Sequence, residues 1–320
     1  MSTVDLDVAG SDRAADAESD WAPGRPIPLR SILGPLRRGA GDPTWRVHEG
    51  AIWRGSMTPE GPGTVRIWRE PARDGSDRAL LQAWGPGADW CAGSLPDWLG
   101  ARDDPSTFAI HHQELRDVAL RSQHWRVGRS GLVLQALIPA IIEQRVTGKQ
   151  AFAAYRTLVR RCGVSAPGPG ADLGLRCPPD AAGWRAIPSW QWLRAGVDAQ
   201  RADTVMRVGQ VAHRIEECVD LPLPAVWKRL SSIPGVGVWT IAETVQRALG
   251  DADAVSFGDY HVAADICWAL TGVVGDDLQA EQLLEPYVGH RYRVQYLVNA
   301  GGLTRPRHGA RLTLPTHLPR

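Results

Sequence analysis

Residues 230–242 form the segment whose residue types and spacing best suit binding chemistry, Leu-Ser-Ser-Ile-Pro-Gly-Val-Gly-Val-Trp-Thr-Ile-Ala. Ile233 and Val236 can pack inward, whereas Gly235 and Gly237 allow backbone angles and close approaches that a Cβ atom would obstruct. The pattern predicts a tight hairpin between two helices. Backbone N–H groups at the positive end of the second helix would then bind an anion, such as a phosphate, without any basic side chain.

A carboxylate follows this hairpin, at Asp259 in the segment Val255-Ser-Phe-Gly-Asp-Tyr-His-Val. Asp259 precedes an apolar helical pattern, and aspartate at a helix N-terminus contributes about 1 kcal/mol by capping. Taken alone, capping is the better explanation. A carboxylate beside the anomeric carbon of a sugar can also stabilise developing oxocarbenium charge or activate a water molecule. One residue can serve both purposes.

Composition limits the classes of protein without selecting one. The 320 residues suffice for two domains, and 43% hydrophobic with 22% charged residues is typical of a globular chain. The acidic, alanine-rich start predicts no export signal, so we expect a cytoplasmic, nucleoid-associated protein and no membrane partner. A net charge of +1 does not itself indicate a nucleic-acid partner. The five cysteines form no Cys-x-x-Cys pair, which disfavours a zinc or iron–sulfur site.

The pattern along the chain predicts an α+β fold, in which a small antiparallel sheet domain precedes a mainly helical domain. We expect a disordered tail at residues 1–25, a mixed sheet domain at 26–113, a helical domain at 114–303 and a basic tail at 304–320. The segment 163–188 is rich in Gly, Pro and Asp and is typical of a long surface connection.

The four residues Pro-Gly-Val-Gly alone fit an ordinary helix–helix turn, but the longer segment resembles the signature of the helix-hairpin-helix DNA glycosylase superfamily. In that family a hairpin of the form Leu-x-x-Leu/Ile-Pro-Gly-Val/Ile-Gly-x-x-Thr-Ala is followed by a catalytic aspartate, and Asp259-Tyr260-His261-Val262 is similar to the aspartate segment. The matching hairpin positions are Leu230, Ile233, Pro234, Gly235, Val236, Gly237 and Thr240.

The resemblance implies Asp259 as the catalytic carboxylate and a reaction without a lyase step. Bifunctional relatives carry a lysine in the hairpin helix, and Trp239 occupies that position here. The only lysines, Lys149 and Lys228, fall outside that register. A hydrolytic, monofunctional reaction is therefore expected. No required cofactor is implied, but backbone carbonyls of Ser231, Ile233 and Val236 would hold a structural K⁺ or Na⁺.

Within the superfamily the chain is most similar to the 3-methyladenine DNA glycosylase II branch, which removes alkylated purines. These bases carry a positive charge that attracts aromatic faces. The resemblance therefore implies a base pocket formed by Trp239, Tyr260 and Tyr287, although core packing is an alternative for Trp239 and Tyr260. It also implies that DNA is contacted by Gln144, Arg145, Gly235, Val236, Gly237, Thr240, His290 and Arg291. In this branch an apolar residue follows the glutamine and enters the duplex when the damaged base flips out, and Arg145 occupies that position here.

The expected partner is double-stranded DNA containing damaged bases, bound by a monomer. Two alternatives stay open at this point: a helix-hairpin-helix protein that binds DNA without turnover, and a glycosylase for a different damaged base. A metal-dependent hydrolase is disfavoured because His124, His261 and His290 share no ligand spacing with a carboxylate or cysteine.

Overall fold

A five-stranded antiparallel sheet forms the N-terminal part of the computed structural model, which describes residues 13–306. Its strand order is β1-β5-β4-β3-β2, so consecutive strands β2 to β5 pair as a meander and β1 closes one edge. Strand β5 alternates buried residues with more exposed ones, whereas six successive residues of β3, from Ala51 to Ser56, are buried because both faces of the sheet are covered there. The strands are β1 Ala17–Trp21, β2 Trp45–His48, β3 Ala51–Thr58, β4 Gly61–Pro71 and β5 Asp77–Trp84.

Strand β1 lies inside the predicted disordered tail, so that prediction is wrong for residues 17–21. Ala17 pairs with Ala83 and Trp21 with Ala79, which places β1 against β5 along its whole length. Its residues alternate between exposed and half-buried, and none is fully buried. The strand is therefore held mainly by its backbone pairing with β5. Residues 1–12 lie outside the described part of the chain.

Helices account for most of the remaining residues, and the α+β fold class is confirmed. A break before Gly148 separates two long helices, and Thr147 and Gln150 form a reciprocal capping box at the start of the second. The helices are α1 Leu29–Leu33, α2 Ala88–Trp98, α3 Arg116–Arg121, α4 Val133–Glu143, α5 Gly148–Cys162, α6 Pro169–Asp172, α7 Ala181–Arg185, α8 Ser189–Arg194, α9 Ala199–Gln210, α10 Ala212–Glu216, α11 Leu223–Ser231, α12 Val238–Ala248, α13 Val262–Thr271, α14 Asp277–Leu284 and α15 Arg291–Ala300.

The segment 163–188 is not the surface connection that its composition predicts. It contains a small hairpin of β6 (Val164–Ser165) and β7 (Arg176–Cys177), followed by α7. Leu175 and Cys177 are buried against the tryptophans of the large sheet. This packing fixes the segment on the outer side of the sheet.

Buried helix α4 lies at the centre of the helical part and packs against α12, α5 and α9. All of its residues from Val133 to Ile142 except Gln135 are buried, which explains its continuous apolar sequence. The sheet has its own core, to which Trp125 and Tyr292 of the later chain also contribute. Among the described residues, no helix has both the length and the apolar character needed to span a bilayer.

Candidate active site

A tight turn between α11 and α12 forms the predicted hairpin, and its two glycines are required for different reasons. Gly235 has φ +96°, and an added Cβ would lie 2.3 Å from Oγ1 of the buried Thr204. Gly237 has φ −101° and ψ 180°, which any residue adopts, and an added Cβ would meet nothing within 4 Å. Gly235 is therefore needed by the fold. Gly237 instead keeps the outer surface of the hairpin open to a ligand.

The N-terminus of α12 follows Gly237 and has no side-chain cap. Its first N–H groups are consequently available to an external acceptor at the positive end of the helix. Thr240 and Ile241 are buried and anchor this turn on the core. The exposed surface of Gly237 and Val238 thus has the properties of a phosphate site.

Three side chains from neighbouring elements brace the hairpin. Gln144, just after α4, donates from Nε2 to the Gly235 carbonyl at 2.9 Å and to Thr240 Oγ1 at 2.8 Å. Arg207 of α9 donates to the Pro234 carbonyl at 3.3 Å. Thr204 completes the set by packing against Gly235. The structure therefore gives Gln144 a bracing position, and it adds Thr204 and Arg207, which the sequence analysis did not identify.

Arg145 follows Gln144 at the exposed tip of the α4–α5 turn. Its φ of +56° is unusual for a residue with a side chain. Because Gln144 is hydrogen-bonded to the hairpin, the Arg145 backbone is held beside the same surface. A side chain at this tip can reach a duplex that contacts the hairpin.

The Asp259 segment lies next to the first turn of α12. An added Cβ on Gly258, where φ is +83°, would lie 3.9 Å from the Trp239 Cβ. Oδ1 of Asp259 accepts hydrogen bonds from the backbone N–H groups of His261 at 2.7 Å and Val262 at 3.2 Å. Asp259 lies two residues before the N-cap of α13, His261, which has no side-chain cap of its own, and it accepts from the first N–H group of the helix, that of Val262. Within residues 13–306 no hydrogen bond reaches Oδ2, so the carboxylate is oriented and half of it is available.

A buried polar network holds the chain just before Asp259. The Ser256 hydroxyl donates to Glu243 Oε1 at 2.6 Å and accepts from Gln246 Nε2 at 2.9 Å. The Ser256 backbone N–H donates to Gln295 Oε1 at 3.0 Å. Because Glu243 and Gln246 belong to α12, the network fixes the Asp259 segment relative to the hairpin helix.

The aromatic residues beside Asp259 differ in exposure. Trp239 is half-buried, and its indole Nε1 is buried without a hydrogen-bond partner. Tyr260 is 83% exposed and packs edge-on against His261 at 4.9 Å between ring centroids. The Arg305 guanidinium lies 5.8 Å from the Tyr260 ring centroid. Tyr260 therefore lies on an open surface rather than in an enclosed pocket.

Tyr287 does not line a pocket, contrary to the prediction. Its side chain is 2% exposed, and its hydroxyl accepts hydrogen bonds from the backbone N–H groups of His111 at 3.1 Å and His112 at 3.0 Å. The ring also stacks on His112 at 5.7 Å. These contacts leave no free face of the Tyr287 ring for a base. They hold residues 111–112 against the hydrophobic core that Tyr287 shares with α13.

The structure also does not bring His290 and Arg291 to the hairpin. His290 is 7% exposed, lies 2.8 Å from Thr107 Oγ1, and has its pKa lowered by burial and by the neighbouring Arg293. Arg291 forms a bidentate ion pair with Asp253, at 2.8 and 2.5 Å. Both side chains therefore make internal contacts at the start of α15, and their contact with DNA stays a prediction.

A cavity of about 440 Å³ lies elsewhere, between the β3–β4 turn, α4, α7 and α10. Its lining includes Met57, Leu134 and Trp184 and none of the predicted site residues. No residue of the hairpin, of α12 or of the Asp259 segment lines this cavity.

The carbonyls of Ser231, Ile233 and Val236, predicted to hold a monovalent cation, belong to the end of α11 and the turn that follows it. The Ile233 carbonyl accepts a hydrogen bond from the Val236 N–H at 3.0 Å, and its second lone pair can contact a cation. Among residues 13–306, no group of three or more His, Cys, Asp or Glu side chains could hold a metal ion. Backbone oxygens are thus the cation ligands that this site can offer.

No protein-family model and no curated protein matches the chain. Solved structures do share its fold. The 3-methyladenine DNA glycosylase from Archaeoglobus fulgidus superposes with a TM-score of 0.72 at 16% identity, covering 88% of this chain and 97% of that chain. The 8-oxoguanine glycosylase/lyase from Clostridium acetobutylicum, solved with duplex DNA, gives 0.61 at 10% identity, covering 91% and 98%.

The molecule thus has the fold of helix-hairpin-helix DNA glycosylases, and the resemblance predicted from the sequence is confirmed at that level. The match extends over the sheet as well as the helices, since nearly the whole of each neighbour is covered. The sheet preceding the helical part is consequently an integral part of this fold.

Proposed function

We propose that this chain is a monofunctional DNA glycosylase of base-excision repair, which hydrolyses the N-glycosidic bond of alkylated purines in duplex DNA. The observation that carries the proposal is the position of Gly258, the residue before Asp259, where an added Cβ would lie 3.9 Å from the Trp239 Cβ in the first turn of α12. It sets the half-available carboxylate of Asp259 beside an uncapped helix N-terminus suited to a phosphate. A duplex held there presents its sugar–phosphate backbone to the carboxylate.

The reaction follows from these positions. The N–H groups after Gly237 bind a phosphate of the damaged strand, which positions the duplex without reading its sequence. The extruded nucleotide places its sugar beside Asp259. As the bond to the cationic base breaks, its electron pair leaves with the base, which becomes neutral, and the carboxylate stabilises the positive charge that develops on the sugar. Water then adds to the anomeric carbon and releases one proton, to Asp259 or to solvent. Hydrogen bonds to Oδ1 hold the carboxylate still, so no reorganisation is required during the step.

The absence of lyase activity is proposed from the identity of residue 239. An amine at that place would attack the sugar and form a Schiff base. The indole of Trp239 has no nucleophilic amine. Lys149 lies in the first turn of α5, and Lys228 lies in the last turn of α11. Borohydride should therefore trap no covalent adduct between this protein and damaged DNA. A trapped adduct would contradict the monofunctional assignment.

Alkylated purines are proposed as substrates because their positive charge suits the aromatic side chains at this site. Tyr260 follows Asp259 in the chain, Trp239 lies beside Gly258, and cationic rings are attracted to aromatic faces. The fold neighbour from Archaeoglobus fulgidus is named as a 3-methyladenine glycosylase, which agrees with this substrate class. The methylated base is also a good leaving group, so one carboxylate and an aromatic platform suffice.

We further propose that the carbonyls of Ser231, Ile233 and Val236 bind K⁺ or Na⁺ when DNA is present. The cation would lie between these oxygens and the bound phosphate, whose charge it would partly neutralise. Replacing potassium by a bulky organic cation at equal ionic strength should weaken binding of undamaged duplexes. Unchanged affinity would contradict a cation at the hairpin.

The substitution Asp259→Asn tests the function with little change in shape, because asparagine keeps the accepting oxygen. Release of 3-methyladenine and 7-methylguanine from methylated duplex DNA should fall at least about 100-fold in single turnover, while DNA affinity is retained. The matched control is Asp276→Asn, which alters the N-cap of α14, where Asp276 accepts from Gln279 N–H. That control should release bases at the unaltered rate.

The alternatives predict different outcomes of the same assay. A DNA-binding protein without turnover would bind the duplexes but release no base from any of them. A glycosylase for another lesion would release a base from a different member of a panel of damaged duplexes, and Asp259→Asn would abolish that release too. Base release by Asp259→Asn at the unaltered rate would contradict the catalytic role itself.

A further inference from the structure

The cavity of about 440 Å³ between the β3–β4 turn, α4, α7 and α10 has no part in the candidate active site. Its floor is formed by buried apolar side chains, among them Leu134 and Ile138 of α4 and Trp184 of α7. A space of this size with such a floor is typical of small-molecule sites. The floor can therefore accept the apolar part of a ligand, and packing against it removes that part from water.

The mouth of this cavity is acidic. Among the described residues that line it there is no lysine or arginine, and the exposed His213 imidazole lies 3.2 Å from a carboxylate of the same lining, that of Glu217. Four carboxylates line the cavity, and they belong to Asp180, Glu216, Glu217 and Asp220. All of them except Glu216 are exposed, whereas the apolar floor is buried. The cavity thus joins an apolar interior to a negatively charged opening.

Only one of these carboxylates is paired with an arginine. Glu217 pairs with Arg229 at 2.8 Å. Within residues 13–306 the other three carboxylates form no ion pair. Arg129 interacts electrostatically with Asp220, but its guanidinium donates to the Val219 carbonyl and it does not line the cavity. Negative charge therefore remains at the mouth for a cationic ligand.

Glu216 is the least exposed of the four carboxylates. Its two oxygens accept hydrogen bonds from the backbone N–H groups of Val133 at 3.0 Å and Leu134 at 2.8 Å, at the start of α4. Burial still raises the pKa of Glu216, because these two neutral donors offset the loss of solvent only in part. A cation in the adjacent cavity would favour the ionised carboxylate and would itself be attracted by it.

We propose that this cavity binds a small organic cation, with an apolar body packed on α4 and Trp184 and an ammonium group donating to Asp180 and Asp220. The two parts of the ligand match the two parts of the cavity, since the floor binds the body and the mouth selects the charge. A neutral molecule with the same body loses the second attraction. An anion, including a phosphate, is repelled. The site lies apart from the hairpin and does not depend on the proposed glycosylase activity.

Phenylbutylammonium is a suitable probe, because phenylbutanol and phenylbutanoate keep its body and change only its charge. Titration calorimetry of the full chain at pH 7 and constant ionic strength should show one bound ammonium probe per chain. Its affinity should exceed that of phenylbutanol about tenfold or more, and phenylbutanoate should bind more weakly than phenylbutanol. Equal affinities of the ammonium and the alcohol, or no binding of the ammonium at millimolar concentration, would overturn the proposal.

A matched pair of variants locates the bound probe. Ala181 is the first residue of α7 and lines the cavity, whereas the next residue, Ala182, is exposed and does not line it. Ala181→Phe should fill part of the space and weaken binding of the ammonium probe by about tenfold or more. Ala182→Phe should bind the probe as the unaltered chain does. Equal affinities of the two variants would overturn the location.

Two further variants test the charge of the mouth and the other surface that suits a cation. Asp220→Asn should weaken binding of the ammonium probe about two- to fivefold and leave the affinity for phenylbutanol unaltered. The aromatic surface at Trp239 and Tyr260 also attracts cations. Tyr260→Ala should nevertheless keep the affinity for the probe. Binding that is lost in Tyr260→Ala, or unaltered in Asp220→Asn, would overturn the proposal.

Discussion

The two hairpin glycines should respond oppositely when each is replaced by alanine. At Gly237 the backbone already has angles that alanine adopts, and the new methyl group would meet no protein atom within 4 Å. At Gly235 the methyl group would lie 2.3 Å from Thr204 Oγ1 and 2.9 Å from its Cγ2, in a conformation with φ +96°. One substitution alters the surface and the other alters the fold.

The magnitudes follow from these contacts. For Gly235→Ala, the left-handed backbone costs about 1–2 kcal/mol and the overlap with Thr204 about 1–3 kcal/mol more in the free energy of unfolding. Gly237→Ala should change that free energy by less than about 0.5 kcal/mol. Its methyl group should instead block one backbone hydrogen bond to a phosphate, worth about 1.5–3 kcal/mol. That loss corresponds to about 10- to 150-fold weaker DNA binding.

Two measurements on the same preparations separate the effects: denaturant unfolding and duplex binding at one fixed salt concentration. Gly237→Ala should keep the unfolding midpoint and lose affinity equally for intact and methylated duplexes, because a phosphate contact carries no base information. Unaltered affinity in Gly237→Ala would refute the placement of a phosphate on the hairpin. Selective loss for methylated DNA would refute it as well.

Three further substitutions test the elements that position the site. Gln144→Ala removes two hydrogen bonds to the hairpin, at Gly235 and Thr240, and should lower the free energy of unfolding by about 1–2 kcal/mol while weakening DNA binding; normal DNA binding would contradict the bracing role. Ser256→Ala removes a hydrogen-bond partner of Glu243 and Gln246, which should lower the free energy of unfolding by about 1–3 kcal/mol and slow base release in single turnover. Base release at the unaltered rate would show that this network does not position Asp259. His290 is buried with a pKa below its ordinary value of 6.5, so the unfolded chain binds more protons and stability falls as the pH drops below about 6.5. His290→Gln should reduce that fall in denaturant unfolding between about pH 7 and pH 5, and an equal fall in both proteins would contradict it.

The sequence predicts the elements that carry their own periodic or local signals. The apolar residues of α4 and the Thr147 boundary reveal two helices, and the glycine pattern at 235–237 reveals the hairpin. Strand β1 was missed because an edge strand with polar alternation resembles a tail until its partner β5 is known. The β6–β7 hairpin was missed because its burial depends on the tryptophans of the sheet.

The candidate site shows the same division between local and long-range information. The hydrogen bonds from Asp259 to the N–H groups of His261 and Val262 join residues two and three positions apart, so the local sequence is enough to predict them. Tyr287 matched a motif position, but its environment is set by residues 111–112, far away in the chain. Thr204 and Arg207 were missed for the converse reason, since nothing in α9 alone indicates that its side chains contact the hairpin.

A structure of the complex with duplex DNA carrying a positively charged abasic-sugar analogue tests the central claim most directly. We predict that the Asp259 carboxylate lies about 3–3.5 Å from the charged ring of the extruded sugar. A phosphate of the same strand should accept hydrogen bonds from the N–H groups at the start of α12. A sugar placed away from Asp259, or a hairpin without a phosphate, would contradict the account.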